Sequence, residues 1–244
     1  WLRGPDRLGG DMADVPPLCL HLVDADATAR LGQWFAARLQ AGDCLLLDGQ
    51  IGAGKSHFAR AFIQARLGRA EDVPSPTFTL VQTYPGTPDI WHADLYRLTH
   101  PDEVHELGLE TAFDAAICLI EWPDRLGAST PENPIRLRLD PKGAGRVAQI
   151  WLGARPDSFG AALLAHLRAL KADAFLVQAG WGDARRDALA QDASTRSYTR
   201  LFGQGTAIFM DAPPGQADSV ADFVKVDAHL LALGLSAPKI LAQD

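Results

Sequence analysis

A glycine-rich segment, Gly49-Gln-Ile-Gly-Ala-Gly-Lys-Ser56, constrains the fold of this chain more than any other stretch. It has the spacing G-x-x-x-x-G-K-S of a phosphate-binding P-loop. An apolar run at 44–47 precedes it, and a helix-compatible stretch at 57–67 follows it. The pattern predicts a buried strand, a tight loop and a helix whose free N–H groups face bound phosphate. The alternative, a glycine-rich turn that arose by chance, is disfavoured by this strand-loop-helix context.

Each residue type in the loop has a chemical reason. Glycines let the backbone curl around phosphate oxygens without a clash from Cβ atoms. Lys55 is predicted to reach the outer phosphates, and the Ser56 hydroxyl is predicted to bind Mg²⁺. The motif therefore predicts a site for a nucleoside triphosphate with Mg²⁺.

Composition and charge limit the class of protein. With 244 residues, 47% of them hydrophobic, the chain can form one large domain or two small ones with packed cores. Its net charge of −7 argues against stand-alone nucleic-acid binding, because phosphate backbones require an excess of Lys and Arg. No apolar run approaches the length that spans a bilayer, so we predict no membrane segment.

The cysteines and histidines give no catalytic signal. Cys19, Cys44 and Cys118 lie in apolar runs and lack the spacing of metal ligands. We expect all three to be reduced core residues of a cytoplasmic protein. His92 and His105 lie near the candidate site in the sequence, but lone histidines are more often structural, and we assign no catalytic histidine.

The first half of the chain mixes strands and helices. Strands are predicted at 19–23, 44–47, 78–84, 90–95, 117–121, 135–139 and 146–151, and helices from 24 to about 40 and at 57–67, 101–107 and 109–113. Only one long helix lies between the P-loop and the later strands. A uniform βαβ alternation is therefore excluded, and a mixed sheet is expected.

Two further segments carry polar groups suited to the Mg²⁺ side of a P-loop. Pro74 and Pro76 fix an extended loop. Thr77 in this loop could bind Mg²⁺ or orient the attacking water, and the alternative is a surface turn in which Thr77 caps the backbone. Asp94 and Glu121 stand at the ends of apolar strands. One acid could ligate Mg²⁺ and the other polarise the water, and the sequence does not assign these two roles.

Four blocks occur in an order and spacing that resemble one family. They are Gly49–Ser56, Ser75-Pro-Thr-Phe-Thr-Leu80, His92-Ala-Asp-Leu-Tyr-Arg-Leu98 and Leu119-Ile-Glu-Trp-Pro123. Together they resemble the TsaE (YjeE) family, the ATPase subunit of the bacterial complex that synthesises tRNA threonylcarbamoyladenosine. The likeness covers about residues 18–153. A P-loop alone would be unspecific, whereas the third block followed by the fourth is highly specific.

The resemblance implies a P-loop NTPase fold of class α/β, with a mostly parallel central sheet. It also implies ATP and Mg²⁺ as cofactors, with weak hydrolysis that depends on partner proteins of the TsaB and TsaD type. The protein would contact tRNA only indirectly. Relative to the family, Ser56 replaces the more frequent Thr, which keeps the hydroxyl, and Gln50 replaces an acidic residue.

The resemblance also implies a set of site residues. Nucleotide contacts are expected from Ala25, Thr28, Ile51, Gly52, Ala53, Gly54, Lys55, Ser56, Trp122, Gly145 and Arg146. Catalytic roles are expected for Lys55, Thr77 as the switch threonine, Asp94 as the Walker-B-like acid, and Glu121. The metal side is expected to comprise Ser56, Asp94 and Glu121.

The second half has a different pattern. Helices are predicted from 157 and at 172–180, a polar stretch at 185–192, strands at 196–201 and 206–210, an amphipathic helix at 219–233 and the start of a strand at 235–241. The blocks at 192–198, 210–214 and 235–244 resemble the start of aminoglycoside-phosphotransferase-type sugar kinases. The closest likeness is to those acting on the anomeric position of N-acetylmuramate and N-acetylglucosamine.

These patterns predict a disordered tail at 1–17, an ATPase domain at 18–155, a helical connection at 156–171 and a partial α+β kinase-like small lobe at 172–244. The alternative function is an aminosugar kinase with a fused ATPase passenger. We expect no kinase activity, because the catalytic Asp of a large lobe is missing and Phe209-Met-Asp211 stands where a phosphate-binding Lys belongs. Ser194, Thr195 and Arg196 would touch nucleotide only in a longer protein. A third interpretation, a nucleotide-gated interaction module with slow hydrolysis, overlaps the first.

Overall fold

A computed structural model describes residues 16–100, 103–190, 196–212 and 220–243. The chain divides into two compact units, with the boundary after Gly160. Residues 1–15 of the tail predicted at 1–17 lie outside the described ranges, and so do Ser194 and Thr195. The four predicted segments and their boundaries stay predictions.

The first unit is built on a seven-stranded sheet of spatial order β1-β7-β6-β2-β5-β4-β3. Its strands are β1 Leu18–Leu22, β2 Cys44–Asp48, β3 Val81–Tyr84, β4 Ile90–Asp94, β5 Ile117–Glu121, β6 Ile135–Lys142 and β7 Gly145–Trp151. The central strands β6, β2, β5 and β4 run parallel to one another. Antiparallel strands complete both edges. The predicted α/β fold with a parallel centre is confirmed.

Helices cover both faces of this sheet. They are α1 Ala25–Ala36, α2 Lys55–Leu67, α3 Glu103–Glu106 and α4 Leu109–Ala115. On one face, α3 and α4 pack over Leu46 and Ile120. Alternate residues such as Leu45 point to the other face, where α1 and α2 contact each other through Phe35 and Phe58. Strands β2 and β5 are continuous apolar runs because the sheet is buried on both sides here.

Some predicted boundaries in the first unit are wrong for local reasons. The strand predicted at 78–84 is confined to β3, because Leu80 has a left-handed φ of 64° at the end of a turn. Helix α1 ends at Ala36 rather than near residue 40, although Leu39 beyond it is still buried. Cys19 is exposed on an edge strand and is not a core residue, whereas the other two cysteines are buried and free as expected.

The second unit contains a three-stranded antiparallel sheet of order β10-β9-β8. Its strands are β8 Arg185–Ala188, β9 Ser197–Phe202 and β10 Thr206–Asp211, and its helices are α6 Val220–Ala232 and the greater part of α5 Asp157–Gln178. Helix α5 runs unbroken where the sequence predicts two helical segments. No helix among the described residues is long and apolar enough to cross a membrane.

In the second unit the sequence analysis missed one strand and predicted one strand wrongly. Where β8 forms, the sequence shows only a polar stretch. All four residues of this strand are exposed, so no apolar alternation marks it as a strand. The strand predicted at 235–241 is wrong, since these residues adopt no regular secondary structure. The hairpin predicted across Gly203-Gln-Gly205 is confirmed by the pairing of β9 with β10.

Candidate nucleotide-binding site

The P-loop connects the carboxyl end of β2 to the first turn of α2. Gly49, Gly52 and Gly54 have φ values of 137°, 79° and 108°, a region that side chains with a Cβ atom rarely adopt. Gly54 is the N-cap of α2, and no side chain caps this helix end. The first N–H groups of α2 are therefore oriented as an anion-binding site.

Lys55 lies within this loop rather than in solvent. Its Nζ donates to the carbonyl oxygens of Gly49, at 2.7 Å, and of Gln50, at 3.1 Å. The same ammonium lies 4.2 Å from the centroid of a Trp122 ring. Burial lowers the pKa of Lys55, while the Glu121 carboxylate and other nearby acids act in the opposite direction. The cation is thus held where a phosphate chain would meet the loop.

The two strand-end acids stand side by side. Asp94 and Glu121 occupy paired positions on the parallel strands β4 and β5, and both are buried. Ser56 Oγ donates to Glu121 Oε2 at 3.1 Å. Thr77 Oγ1 donates to Asp94 Oδ2 at 2.7 Å, and Ser75 Oγ lies 2.8 Å from Thr77 Oγ1. The loop at 74–80 is therefore tied to the sheet through hydroxyl–carboxylate bonds.

This donor set fits a hard cation. Hydroxyl and carboxylate oxygens are the ligands that Mg²⁺ prefers, and Mg²⁺ bound to phosphates needs only one or two carboxylates. In the described part of the chain, no cluster of three or more His, Cys, Asp or Glu side chains could hold a metal alone. The residues that fit a phosphate-bound cation are Ser56, Thr77, Asp94 and Glu121.

Another wall of the site comes from α1 and β7. Arg146 Nη1 donates to Thr28 Oγ1. The guanidinium lies over the P-loop, since a Cβ atom added to Gly54 would stand 3.2 Å from Arg146 Cζ. At Gly145, an added Cβ would stand 2.2 Å from the Leu22 carbonyl oxygen, so only glycine allows this close approach to β1. The structure thus brings three of the predicted nucleotide residues, Thr28, Gly54 and Arg146, into contact.

The remaining predicted residues lie around the same loop. The Ala25 carbonyl oxygen is 2.9 Å from His57 Nε2, in the first turn of α2. Ile51 is exposed at the tip of the loop. Trp122 follows β5 with a left-handed φ of 59°, and its ring centroid lies 4.9 Å from that of Tyr96.

Two residues that the sequence left without a role are part of this cluster. His92 Nε2 lies 3.0 Å from Glu121 Oε1. Ser75 lies between the hydroxyls of Ser56 and Thr77. The sequence could have indicated that His92 belongs to this cluster. Side chains alternate between the two faces of a strand, which places His92 and Asp94 of β4 on the same face.

This fold and site define a protein of the P-loop NTPase type. The family model described as "Threonylcarbamoyl adenosine biosynthesis protein TsaE" matches residues 22–148, about half of the chain. The chain therefore belongs to the TsaE family.

Individual relatives agree with this family. A protein from Rickettsia bellii named "tRNA threonylcarbamoyladenosine biosynthesis protein TsaE" is 40% identical over 120 residues, which cover 48% of this chain and 83% of that protein. A protein of the same name from Bacillus subtilis is 36% identical over 125 residues, 50% of this chain and 76% of that protein. The crystal structure of Bacillus subtilis YdiB superposes with a TM-score of 0.51 and 27% identity, covering 61% of this chain and 95% of that chain.

Proposed function

We propose that this chain is an Mg²⁺-dependent ATPase that serves tRNA threonylcarbamoyladenosine modification in the cytoplasm. The observation that carries the proposal is the meeting of Lys55 and Ser56, from the P-loop, with two strand-end acids, Asp94 and Glu121. A phosphate-binding loop beside hydroxyl and carboxylate oxygens suits a magnesium-bound triphosphate. Membership of the TsaE family and the names of its relatives support the biological role.

We assign the site residues as follows. Lys55 exchanges the carbonyls of its own loop for phosphate oxygens, and the N–H groups of residues 51–56 surround those oxygens. Arg146 and Thr28, with Ala25, Gly145 and Trp122, line the nucleotide beyond the loop. Mg²⁺, when bound, supplies positive charge that neutralises the phosphate oxygens.

The hydrogen bonds favour separate roles for the two acids. Glu121 accepts from Ser56, the hydroxyl expected to face the metal, so we assign Glu121 to the metal side. Asp94 accepts from Thr77 and from the Tyr96 N–H, the latter at 3.0 Å. We therefore assign Asp94 to holding the loop at 74–80 and, through Thr77, to orienting the attacking water.

Partner dependence is supported by charge and by one exposed side chain. The net charge of −7 disfavours direct contact with tRNA, so we propose that partners of the TsaB and TsaD type hold the RNA. Phe78 follows Thr77 directly and is 81% exposed, with Arg97 Cζ 4.1 Å from its ring centroid. A large aromatic ring exposed directly after Thr77 offers partners a contact beside the proposed site.

The test is ATP hydrolysis by the full chain, alone and with purified TsaB- and TsaD-type partners. We expect weak hydrolysis alone and a clear increase with partners. Glu121→Ala should lower the increase by roughly 100-fold or more, the scale for one lost electrostatic group at a reacting centre. Phe78→Ala should lower it while leaving ATP affinity unchanged. Hydrolysis that partners do not change would contradict the proposal.

No described contact favours an aminosugar kinase. Asp211, on the strand where a phosphate-binding Lys belongs, accepts from Arg168 Nε at 2.5 Å and from Arg168 Nη2 at 2.7 Å. The family model ends at residue 148, so the kinase-like lobe stays a prediction. We propose that this chain does not phosphorylate N-acetylmuramate. Robust phosphate transfer to that sugar would overturn this view.

A further inference from the structure

A buried histidine contacts the acid assigned to the metal side. His92 Nε2 lies 3.0 Å from Glu121 Oε1, and the two side chains are 1% and 3% exposed. The other ring nitrogen, Nδ1, is buried and has no hydrogen-bond partner. The proposed ATPase chemistry so far gives this histidine no role.

The contacts define the tautomer of the ring. An ionised carboxylate can only accept hydrogen bonds, so His92 Nε2 carries the proton that Glu121 Oε1 accepts. A proton on Nδ1 would be a buried donor without an acceptor, which is costly. The geometry therefore favours a proton on Nε2 that is donated to Glu121.

The same contacts fix the Glu121 carboxylate. Oε1 is held by His92 from the neighbouring strand β4, and Oε2 is held by Ser56 from the P-loop helix. With one partner on each oxygen, the carboxylate has a defined orientation, with Oε2 facing the P-loop. Loss of the histidine donor would free Oε1 and allow the carboxylate to rotate away from Ser56.

We infer that His92 is a positioning residue that acts through Glu121 and sets the affinity of the nucleotide site for Mg²⁺. The inference rests on the proposed function, because it requires Mg²⁺ at this site. Hydrogen-bond partners of metal-binding side chains typically change metal affinity by roughly 10–100-fold when removed.

Two amide variants provide a matched test. In His92→Gln the longer side chain can place an N–H near the Nε2 position, whereas in His92→Asn the shorter amide falls short of Glu121. The measurement is calorimetric binding of a non-hydrolysable ATP analogue to the full chain over a series of Mg²⁺ concentrations. We expect His92→Asn to weaken apparent Mg²⁺ affinity roughly 10–100-fold and His92→Gln to stay close to the wild type. Equal behaviour of the two variants would overturn the inference.

A double-mutant cycle separates positioning from a general structural role. In a Glu121→Ala background, His92→Asn should cause no further loss of Mg²⁺ affinity, because its effect passes through the carboxylate. An additive loss would overturn the inference. A wild-type chain whose nucleotide affinity does not respond to Mg²⁺ would overturn the proposed function, whereas a wild-type response that every His92 variant keeps would overturn this inference alone.

A measurement on the metal-free wild type keeps the inference testable if a variant fails to fold. Nitrogen-15 NMR of the imidazole distinguishes the two neutral tautomers. We expect the His92 signal of a ring with its proton on Nε2. A ring whose only proton is on Nδ1 would mean that His92 does not donate to Glu121, and the inference would fail.

Discussion

The two units of this chain differ in how far their large apolar side chains are buried. Among the described residues of the first unit, the central strands β2 and β5 are buried throughout their apolar runs, and few large apolar side chains are exposed. In the described part of the second unit, the buried apolar side chains are Leu163, Leu176 and Leu201. Its exposed large apolar side chains are Leu164, Val177, Ile208, Val226, Leu231, Leu233, Leu235, Ile240 and Leu241. The second unit therefore has a marginal core.

This difference makes the first unit the better support for the proposed nucleotide site. A site that binds a triphosphate needs side chains held by rigid elements. Strands β4 and β5 supply this, since their register sets Asp94 beside Glu121. The second unit has a small sheet in which the edge strand β8 is wholly exposed. We expect its role to depend on contacts that bury its apolar surface.

The largest predicted difference between the units concerns core truncation. Leu46→Ala in β2 should lower the free energy of unfolding by about 2–5 kcal/mol, because Leu46 is fully buried. Leu231→Ala in α6 should change it by only about 0.5 kcal/mol, because this side chain is 47% exposed. Denaturant unfolding with hydrogen exchange resolved by unit is the measurement. Equal losses of stability in the two variants would show that the two units do not differ in core packing.

The next effect concerns ATP binding. Lys55→Ala should weaken ATP affinity by roughly 30-fold or more, equivalent to about 2 kcal/mol, because it removes the cation that we propose binds the phosphates. Lys225→Ala is the control, since Lys225 lies on the exposed surface of α6. Calorimetric titration of the full chain measures both. Undiminished ATP affinity in Lys55→Ala would mean that the nucleotide does not bind at this loop. The first unit would then have no special role in ATP binding.

A pair of glycine variants compares backbone packing. Gly145→Ala should lower the free energy of unfolding by about 1–3 kcal/mol, because the added methyl group would lie 2.2 and 2.7 Å from the Leu22 and Val23 carbonyl oxygens. Gly205→Ala in the β9–β10 turn should be nearly neutral, because an added Cβ there has no atom within 4 Å. Thermal unfolding of both variants tests this. A large loss at Gly205 would show that the second unit is packed more tightly than its contacts indicate.

The smallest effect is a pH dependence in the first unit. Burial lowers the pKa of Lys55, so the native state releases this proton at a lower pH than the unfolded chain does. The contribution of Lys55 to stability without ATP should therefore rise with pH between the lowered native pKa and the ordinary lysine pKa. The buried Cys44 and Cys118 thiols, whose pKa values are raised, act in the opposite direction in the wild type and in any Lys55 variant, so the trend is read as the difference between the two proteins. ATP affinity should fall over the same interval, because the neutral amine loses its attraction for phosphate. Lys55→Arg should abolish both trends, and a similar pH profile in that variant would contradict the assignment.

The sequence predicted the parts of the fold and site that depend on local pattern. The P-loop spacing and the apolar runs before Asp94 and Glu121 identify buried strands, and strand ends in a parallel sheet meet at one edge. The bond between Thr77 and Asp94 could not be predicted, because it depends on a turn in which Leu80 is left-handed. Alternation along β4 indicates the face of His92, but its contact with Glu121 spans 29 residues and two strands, so no local signal identifies this partner.

In the second unit, prediction failed where local pattern is weak. Strand β8 has no apolar alternation, and only its pairing with β9 makes it a strand. The segment at 235–241 reads as a strand by composition, but no neighbouring strand pairs with it among the described residues. In both segments, the presence or absence of a pairing strand that is distant in sequence determines whether a strand forms.

The contact between Arg146 and Thr28 has a consequence for how the protein is made. It joins residues 118 positions apart, and the edge strand β1 likewise pairs with β7. During synthesis the phosphate loop therefore leaves the ribosome long before the strand that completes its surroundings. Until β7 emerges, β1 has an unpaired edge and the loop lacks the arginine that lies over it. We expect the nascent chain to acquire full nucleotide affinity only after translation has passed residue 151.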